Sequence, residues 1–301
     1  MGDLLSKPLL VVTGKGGVGK STVAAAVGLA AARRGLRTII AEVAARDDVS
    51  RALGGTGAHE DELAEGLHHI SIDPQDALEE YLTDQLRGRM LADLLASSSA
   101  FAYLAAATPG LRELLTVGKV WELAQEDRRK RGAQPYDLVV LDAPATGHGV
   151  AILTAPRTFA EVARLGRIAR QGRTIDEMLS DPARTGVVVV ARPEEMPVNE
   201  TLALEQELPA GTGLHVDLIV ANGVLPSRFS AAEARELQAS KDGRAVGAAL
   251  AAHRRARTQQ AQLTRLRRGT EAGVVKLPFM FEPVLEGPEL DALSRHLERA
   301  L

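Results

Sequence analysis

The sequence predicts an α/β fold in which a mostly parallel sheet is flanked by helices. Three observations carry that expectation: short runs of leucine and β-branched residues that are apolar without alternation, helix-forming stretches between them, and a glycine just past the first helix. Strands covered on both faces read as continuous apolar runs, whereas half-solvated strands alternate. The 301 residues, 45% hydrophobic and 25% charged, are enough to bury such a core.

Taken in order, strands are expected at Leu9 to Thr13, Thr38 to Val43, His69 to Ile72, Asp137 to Leu141, Val187 to Ala191, Val216 to Ala221 and Val274 to Leu277. The alanine-rich stretch Thr22 to Arg34 reads as a helix that stops at Gly35, the residue type favoured just past a helix end. Asp73-Pro74 reads as an N-cap followed by proline at the first helical position. Ser230 with Glu233, and Thr174 with Glu177, fit capping boxes. Ala231 to Arg268 reads as one long helix whose end carries Arg254, Arg255, Arg257, Arg265, Arg267 and Arg268. Those arginines form either a solvated face or a surface for DNA or an acidic partner.

Two stretches lack strand candidates, residues 73–131 and 156–182. Both are expected to be helical and to pack together as an insertion subdomain beside the sheet, within a single domain spanning residues 1–301. In the first, Leu91, Leu94, Leu95, Phe101, Tyr103 and Leu104 form either a helix-on-helix core or a groove for a client's hydrophobic helix. Trp121 reads as core.

Composition narrows the chemistry. A net charge of −3, from 36 basic and 39 acidic residues, argues against a chain dominated by a polyanion-binding surface. There are no cysteines, so no disulfide, thiolate metal site or cysteine nucleophile can be built. The first residues carry Asp3 and Lys7, unlike a secretory leader, and Leu91 to Ala107 falls short of the ~20 apolar residues of a membrane helix. A cytoplasmic location without an integral membrane segment is the expectation. His59, His68, His69, His215, His253 and His296 are scattered or, for the adjacent pair, directed oppositely on a strand, so no histidine metal site is expected.

After the first strand comes Gly14-Lys15-Gly16-Gly17-Val18-Gly19-Lys20-Ser21-Thr22, which satisfies G-x-x-x-x-G-K-[ST] between a strand and a helix. The glycines let successive backbone N–H groups point at one anion, and the following helix adds its positive N-terminal end. Lys20 would neutralise the β/γ-phosphates of ATP and the Ser21 hydroxyl would ligate Mg2+. Lys15 is a second lysine in the loop, not needed to cradle phosphate within one subunit. Asp142 ends an apolar strand, where a carboxylate accepts hydrogen bonds from magnesium-bound water, and it opens Asp142-Ala143-Pro144-Ala145-Thr146-Gly147-His148-Gly149.

With Lys15 in its loop, the sequence resembles the deviant P-loop ATPases (KGGxGK[ST]). The Asp142 segment looks like the D-[TA]-[AP]-P-T-G-H of their branch that holds the arsenite-pump ATPase ArsA and the ATPase for guided entry of tail-anchored proteins. Further matches are Pro109 to Leu114, Pro193 to Thr201, Asn222 at a strand end, and Leu277-Pro278-Phe279. The resemblance, which spans nearly the whole chain, implies a P-loop NTPase in which Lys15 crosses a dimer interface to the partner's nucleotide. It implies that Gly147 reports the γ-phosphate, that Asn222 reads the base and that Pro278 and Phe279 wall the adenine ring. Asn222 could equally cap the strand-to-loop turn.

One departure stands out. The family's second strand ends in D-P-A-H-x-L-S, whose aspartate positions the attacking water; anchoring on Val49-Ser50 places Ala44 there. Glu42, Asp47 or Asp48 substitutes, unless these are ordinary loop charges and hydrolysis is slow. The absent cysteines also remove an iron–sulfur reductase, a thiolate metalloid pump and a C-x-x-C zinc-stapled dimer from the relatives. What the resemblance then implies is a Mg2+-dependent ATPase working as a nucleotide-switched homodimer, or a heterodimer with a paralogue, that handles a hydrophobic client or partner. The alternatives are a nucleotide-binding switch with weak or no hydrolysis and, third, a DNA-associated positioning ATPase of the partition type; nucleic acid is not the favoured partner.

Overall fold

A computed structural model describes residues 4–43, 46–56, 60–85, 110–128, 132–145, 148–163, 167–240 and 243–301. After a short turn of 3-10 helix at Leu4–Ser6, the chain runs through β1 (Leu9–Gly14), α1 (Lys20–Arg33), β2 (Thr38–Val43), α2 (Asp48–Ala52), β3 (Asp61–Ala64), β4 (Leu67–Ile72) and α3 (Pro74–Gln85). It continues through α4 (Leu111–Leu123), β5 (Leu138–Ala145), α5 (His148–Ala163), α6 (Arg167–Leu179), β6 (Thr185–Ala191) and α7 (Glu195–Thr212). The last elements are β7 (Leu218–Val224), α8 (Ala231–Ala239), α9 (Gly243–Gly269), β8 (Gly273–Pro278) and α10 (Gly287–Leu297).

The strands form one eight-stranded sheet in the order β3-β4-β2-β5-β1-β6-β7-β8. Every neighbouring pair is parallel except β3 with β4. β1, β2 and β6 are buried at every position, as their unbroken apolar runs require. One face, including Leu10, Ile40, Val140 and Val188, packs with apolar residues of α1 and α10. The other, including Val11, Ile39, Leu141 and Val189, packs with residues of α4, α5, α6 and α7. Trp121 lies against this second cluster.

All seven expected strands are present. The eighth, β3, was not anticipated because Asp61-Glu62-Leu63-Ala64 carries two charges and has alternating half-exposed positions. It is an antiparallel edge strand joined to β4 through Glu65-Gly66, a short hairpin. α1 ends one residue short of Arg34, with Gly35 in the left-handed region behind it. Asp73 caps α3, accepting from Gln75 N at 2.7 Å, and the Ser230–Glu233 capping box is formed in both directions.

Two expectations are corrected. Thr174 is no cap: it lies inside α6, and its hydroxyl donates to the Arg170 carbonyl one turn back. The single long helix expected over 231–268 is two, because Ser240 leaves α8 with extended backbone before α9 begins at Gly243. α9 buries Ala256, Gln259, Leu263 and Leu266 while all six arginines named above are exposed. The candidate groove residues Leu91 to Leu104 lie outside the described residues. Among those described, no helix is long and apolar enough to cross a membrane.

Gly14 ties the sheet to the loop that follows it. Its φ is +145°, and a Cβ there would lie 2.2 Å from the Val190 carbonyl oxygen. That atom belongs to the adjoining strand and cannot give way. Gly14→Ala is expected to lower unfolding free energy by on the order of 1–3 kcal/mol, read as a reduced urea midpoint at unchanged slope.

Candidate nucleotide-binding site

The sheet's C-terminal edge gathers the site. β1 delivers residues 15–19 and α1 starts at Lys20, so backbone N–H groups and a helix N-terminus converge there. Gly19 has φ +93°, and a Cβ on it would stand 2.3 Å from Asn222 Nδ2. That amide donates to the Val18 carbonyl at 2.9 Å, so β7 braces the loop through Asn222. Lys20 is almost fully buried, its ammonium donates to the Lys15 carbonyl at 3.3 Å, and burial pushes its pKa down.

The Ser21 hydroxyl donates to Asp142 Oδ2 at 2.6 Å. Asp142 is fully buried, and burial foremost pushes its carboxyl up to about 6, with the charge of Glu42 adding to the rise. The Ser21 hydrogen bond and the charges of Arg46 and Lys20 act in the opposite direction. Arg46 Nη2 reaches to 3.5 Å from Asp142 Oδ2. The other oxygen, Oδ1, has no partner among the described residues.

Glu42, Asp47 and Asp48 separate clearly. Asp47 and Asp48 are half-exposed and pair with Arg51, at 3.1 and 2.6 Å. Glu42 is fully buried and stands beside Asp142 in the β2–β5 register. Strand parity places both on the α1 face, each two residues beyond a member of that face's cluster, Ile40 and Val140. Glu42 Oε2 accepts from Val49 N at 2.9 Å and lies 2.8 Å from His69 Nε2. His68 does point the other way, its ring edge-on to Tyr136 at 5.3 Å.

Lys15 forms an ion pair with Glu200 of α7, in its own chain and at partial exposure. Thr22 is half-buried on the first turn of α1. At the β7–β8 end, Phe279 N donates to the Val224 carbonyl at 2.9 Å and the ring lies near Gly223, with Pro278 just before it. Ala44 and Gly147 lie outside the described residues. His69, Arg46, Glu200, Arg228, Phe281 and Gln259 were not among the residues expected at the site. Gln259 closes the β7 exit by accepting from Leu225 N and donating to the Gly223 carbonyl, while Arg228 stacks on Phe281, itself edge-on to Phe279. Only Glu200 had a sequence signal, its place in the Pro193 to Thr201 match.

The sequence profile of the anion-transporting ATPases matches residues 7–171 and 162–246. The chain belongs to that family. It is 29% identical over 243 residues to the ATPase BagA of Mycobacterium tuberculosis, covering 78% of this chain and 69% of that protein. It is 28% identical over 249 residues to an arsenical pump-driving ATPase of Escherichia coli, covering 74% of this chain and 40% of that protein. An uncharacterised Streptomyces coelicolor protein is 28% identical over 250 residues, at 72% and 62% coverage. The chain thus spans two fifths of the pump-driving relative.

Family membership implies a nucleotide and a divalent cation, and the residues fit the cation. A hydroxyl and a carboxylate adjoin at the foot of an anion-cradling loop, and the carboxylate keeps one buried oxygen unpartnered. Among the described residues no three His, Asp or Glu side chains cluster closely enough to hold a metal alone. The adjoining hydroxyl and carboxylate suit magnesium, which takes one or two protein oxygens and completes its shell from phosphate and water.

Asp142 sets the pH dependence. Its folded pKa lies above its ordinary 3.8, so the folded chain binds more protons than the unfolded one between 3.8 and about 6. Ionisation in that window destabilises the cation-free protein, and acidification relieves it. Asp142→Asn is therefore expected to stabilise the cation-free protein at pH 7 by on the order of 1–3 kcal/mol in urea. Cation binding to the parent protein should weaken about tenfold per unit as pH falls below about 6, because one proton must leave. Calorimetric Mn2+ titrations across pH check this.

Proposed function

We propose that the protein binds ATP with Mg2+ at residues 14–22 and hydrolyses the β–γ bond while working as a two-subunit switch. The observation that carries this reading is the Ser21–Asp142 contact at the foot of the phosphate loop. Backbone N–H groups of the loop and the Lys20 ammonium hold the phosphates, Ser21 presents its hydroxyl to the cation and Asp142 accepts from the cation's water. Magnesium supplies charge neutralisation as the β–γ bond breaks. Asn222 spends one Nδ2 hydrogen on Val18, which leaves its second N–H and its Oδ1 to meet the adenine N7 and N6. Phe279 and Pro278 wall the ring, and Gly147 reports the γ-phosphate.

Lys15 serves the partner's nucleotide, which requires the Lys15–Glu200 pair to open first. The pair is partly exposed, and such pairs contribute only about 0–1 kcal/mol, so a phosphate displaces the carboxylate readily. The partner is a second copy of the chain or a paralogue. Subunit closure is passed to the span holding Leu91 to Leu104, which takes a hydrophobic segment of a client. A cytoplasmic location suits this reading.

A second reading, a nucleotide switch with little hydrolysis, is favoured by one observation: alanine stands at position 44, where the family's motif has an aspartate. Phosphate release separates the two. Lys20→Ala is expected to abolish ATP turnover and weaken ATP binding. Lys15→Ala should keep ATP binding and lose turnover on the order of 10³-fold, as loss of a trans cation does. Sedimentation with ATP should show dimers of the parent protein. Unchanged turnover in Lys20→Ala overturns the site, and parent turnover no higher than that of Lys20→Ala, with ATP-dependent dimers, selects the second reading.

A further inference from the structure

We infer that Glu42 is a second carboxylate of the divalent-cation shell, and that His69 is the residue that positions it. The inference rests on the nucleotide-site reading above and adds two residues to it. Glu42 and Asp142 are opposed on neighbouring parallel strands, on the same sheet face, and both are fully buried. Two carboxylates so placed repel each other, and a cation between them would relieve that repulsion.

Neither is fully satisfied by the described residues. Asp142 Oδ1 and Glu42 Oε1 are buried with no partner among the described residues. The hydroxyl of Ser71, which opposes Glu42 from β4, is in the same condition. Buried anionic oxygens without donors are strongly unfavourable, and a hydrated cation supplies both the charge and the donors they lack. Glu42 Oε1 would accept from the cation's hydration shell.

His69 makes this placement definite. Its Nε2 lies 2.8 Å from Glu42 Oε2, the oxygen that also takes the Val49 N–H, so Oε2 is fully occupied and Oε1 is the one left to the cation. His69 is buried to the same degree, so its contact is unscreened and fixes the carboxylate plane. Such outer contacts typically change metal affinity 10- to 100-fold.

The test is a Mn2+ titration with saturating ADP, followed by electron paramagnetic resonance of the free ion, beside metal-free ADP binding. Glu42→Gln is expected to raise the Mn2+ Kd by about 10- to 100-fold while metal-free ADP binding stays equal or tightens. His69→Leu should weaken Mn2+ in the same way, and His69→Gln, which keeps a donor, should recover most of the loss. A Mn2+ Kd in Glu42→Gln within twofold of the parent overturns the inference. So does a loss of metal-free ADP affinity in step with Mn2+, which marks a purely structural pair. Should Glu42→Gln not fold, equal Mn2+ affinity of His69→Leu and His69→Gln overturns it instead. If Ser21→Ala and Asp142→Asn weaken Mn2+ and Glu42→Gln does not, only this inference fails; if none of the three does, the nucleotide-site reading fails with it.

Discussion

Two carboxylates buried side by side on parallel strands are the constraint around which the rest is arranged. A parallel sheet covered on both faces gives Glu42 and Asp142 almost no water, and the β2–β5 register holds them opposite one another. Removing ions from water costs several kcal/mol each unless partners compensate. Each nearby polar group reduces that cost: Ser21 donates to Asp142, the Arg46 guanidinium approaches it, and His69 and the Val49 N–H meet Glu42. The compensation is incomplete, as the carboxyl pushed up to about 6 records. Stability is given up at the position where the proposed cation would return it, the usual relation between strain and a binding site.

Elements from both faces of the sheet are joined to the site. Glu42 holds the start of α2 through Val49, while Glu200 reaches from α7 to Lys15. The first contact is sealed from water and the second is half open. A sealed hydrogen bond to a charged group resists exchange, whereas an exposed ion pair is easily traded for another anion. The geometry therefore divides the site into a rigid flank at α2 and an exchangeable one at α7.

The sheet was legible because burial on both faces writes itself as unbroken apolar runs, and the phosphate loop because strand, glycines, lysine and hydroxyl leave few other geometries. β3 was not, since an edge strand answers to pairing with one neighbour and tolerates Asp61 and Glu62. The break at Ser240 was legible in the turn-forming run Ser240-Lys241-Asp242-Gly243, which the long apolar and basic pattern around it overrode. Within the site, Lys20, Ser21 and Asp142 stood in a local pattern. Glu42 could be named only alongside Asp47 and Asp48, since which carboxylate turns inward depends on strand parity and on Arg51. His69, from a third strand, had no local signal at all: its role arises from a register 27 residues away from Glu42. Glu200, 185 residues from Lys15, is the same kind of case.

Position 42 differs from position 44 in more than residue type. Glu42 lies within β2 and is paired on both sides, to Ser71 of β4 and Asp142 of β5, whereas residue 44 follows the strand's last residue, Val43. A carboxylate set by two neighbouring strands, a histidine and a backbone N–H has little freedom to move. Charge at this point then belongs to the permanent architecture of the site, and the nucleotide-dependent step must be made by groups free to exchange partners. Among the described residues, the partly exposed Lys15–Glu200 pair at the edge of the phosphate loop answers that description, and on the function proposed above it sets the exchangeable step at α7 and the fixed charge at β2 and β5.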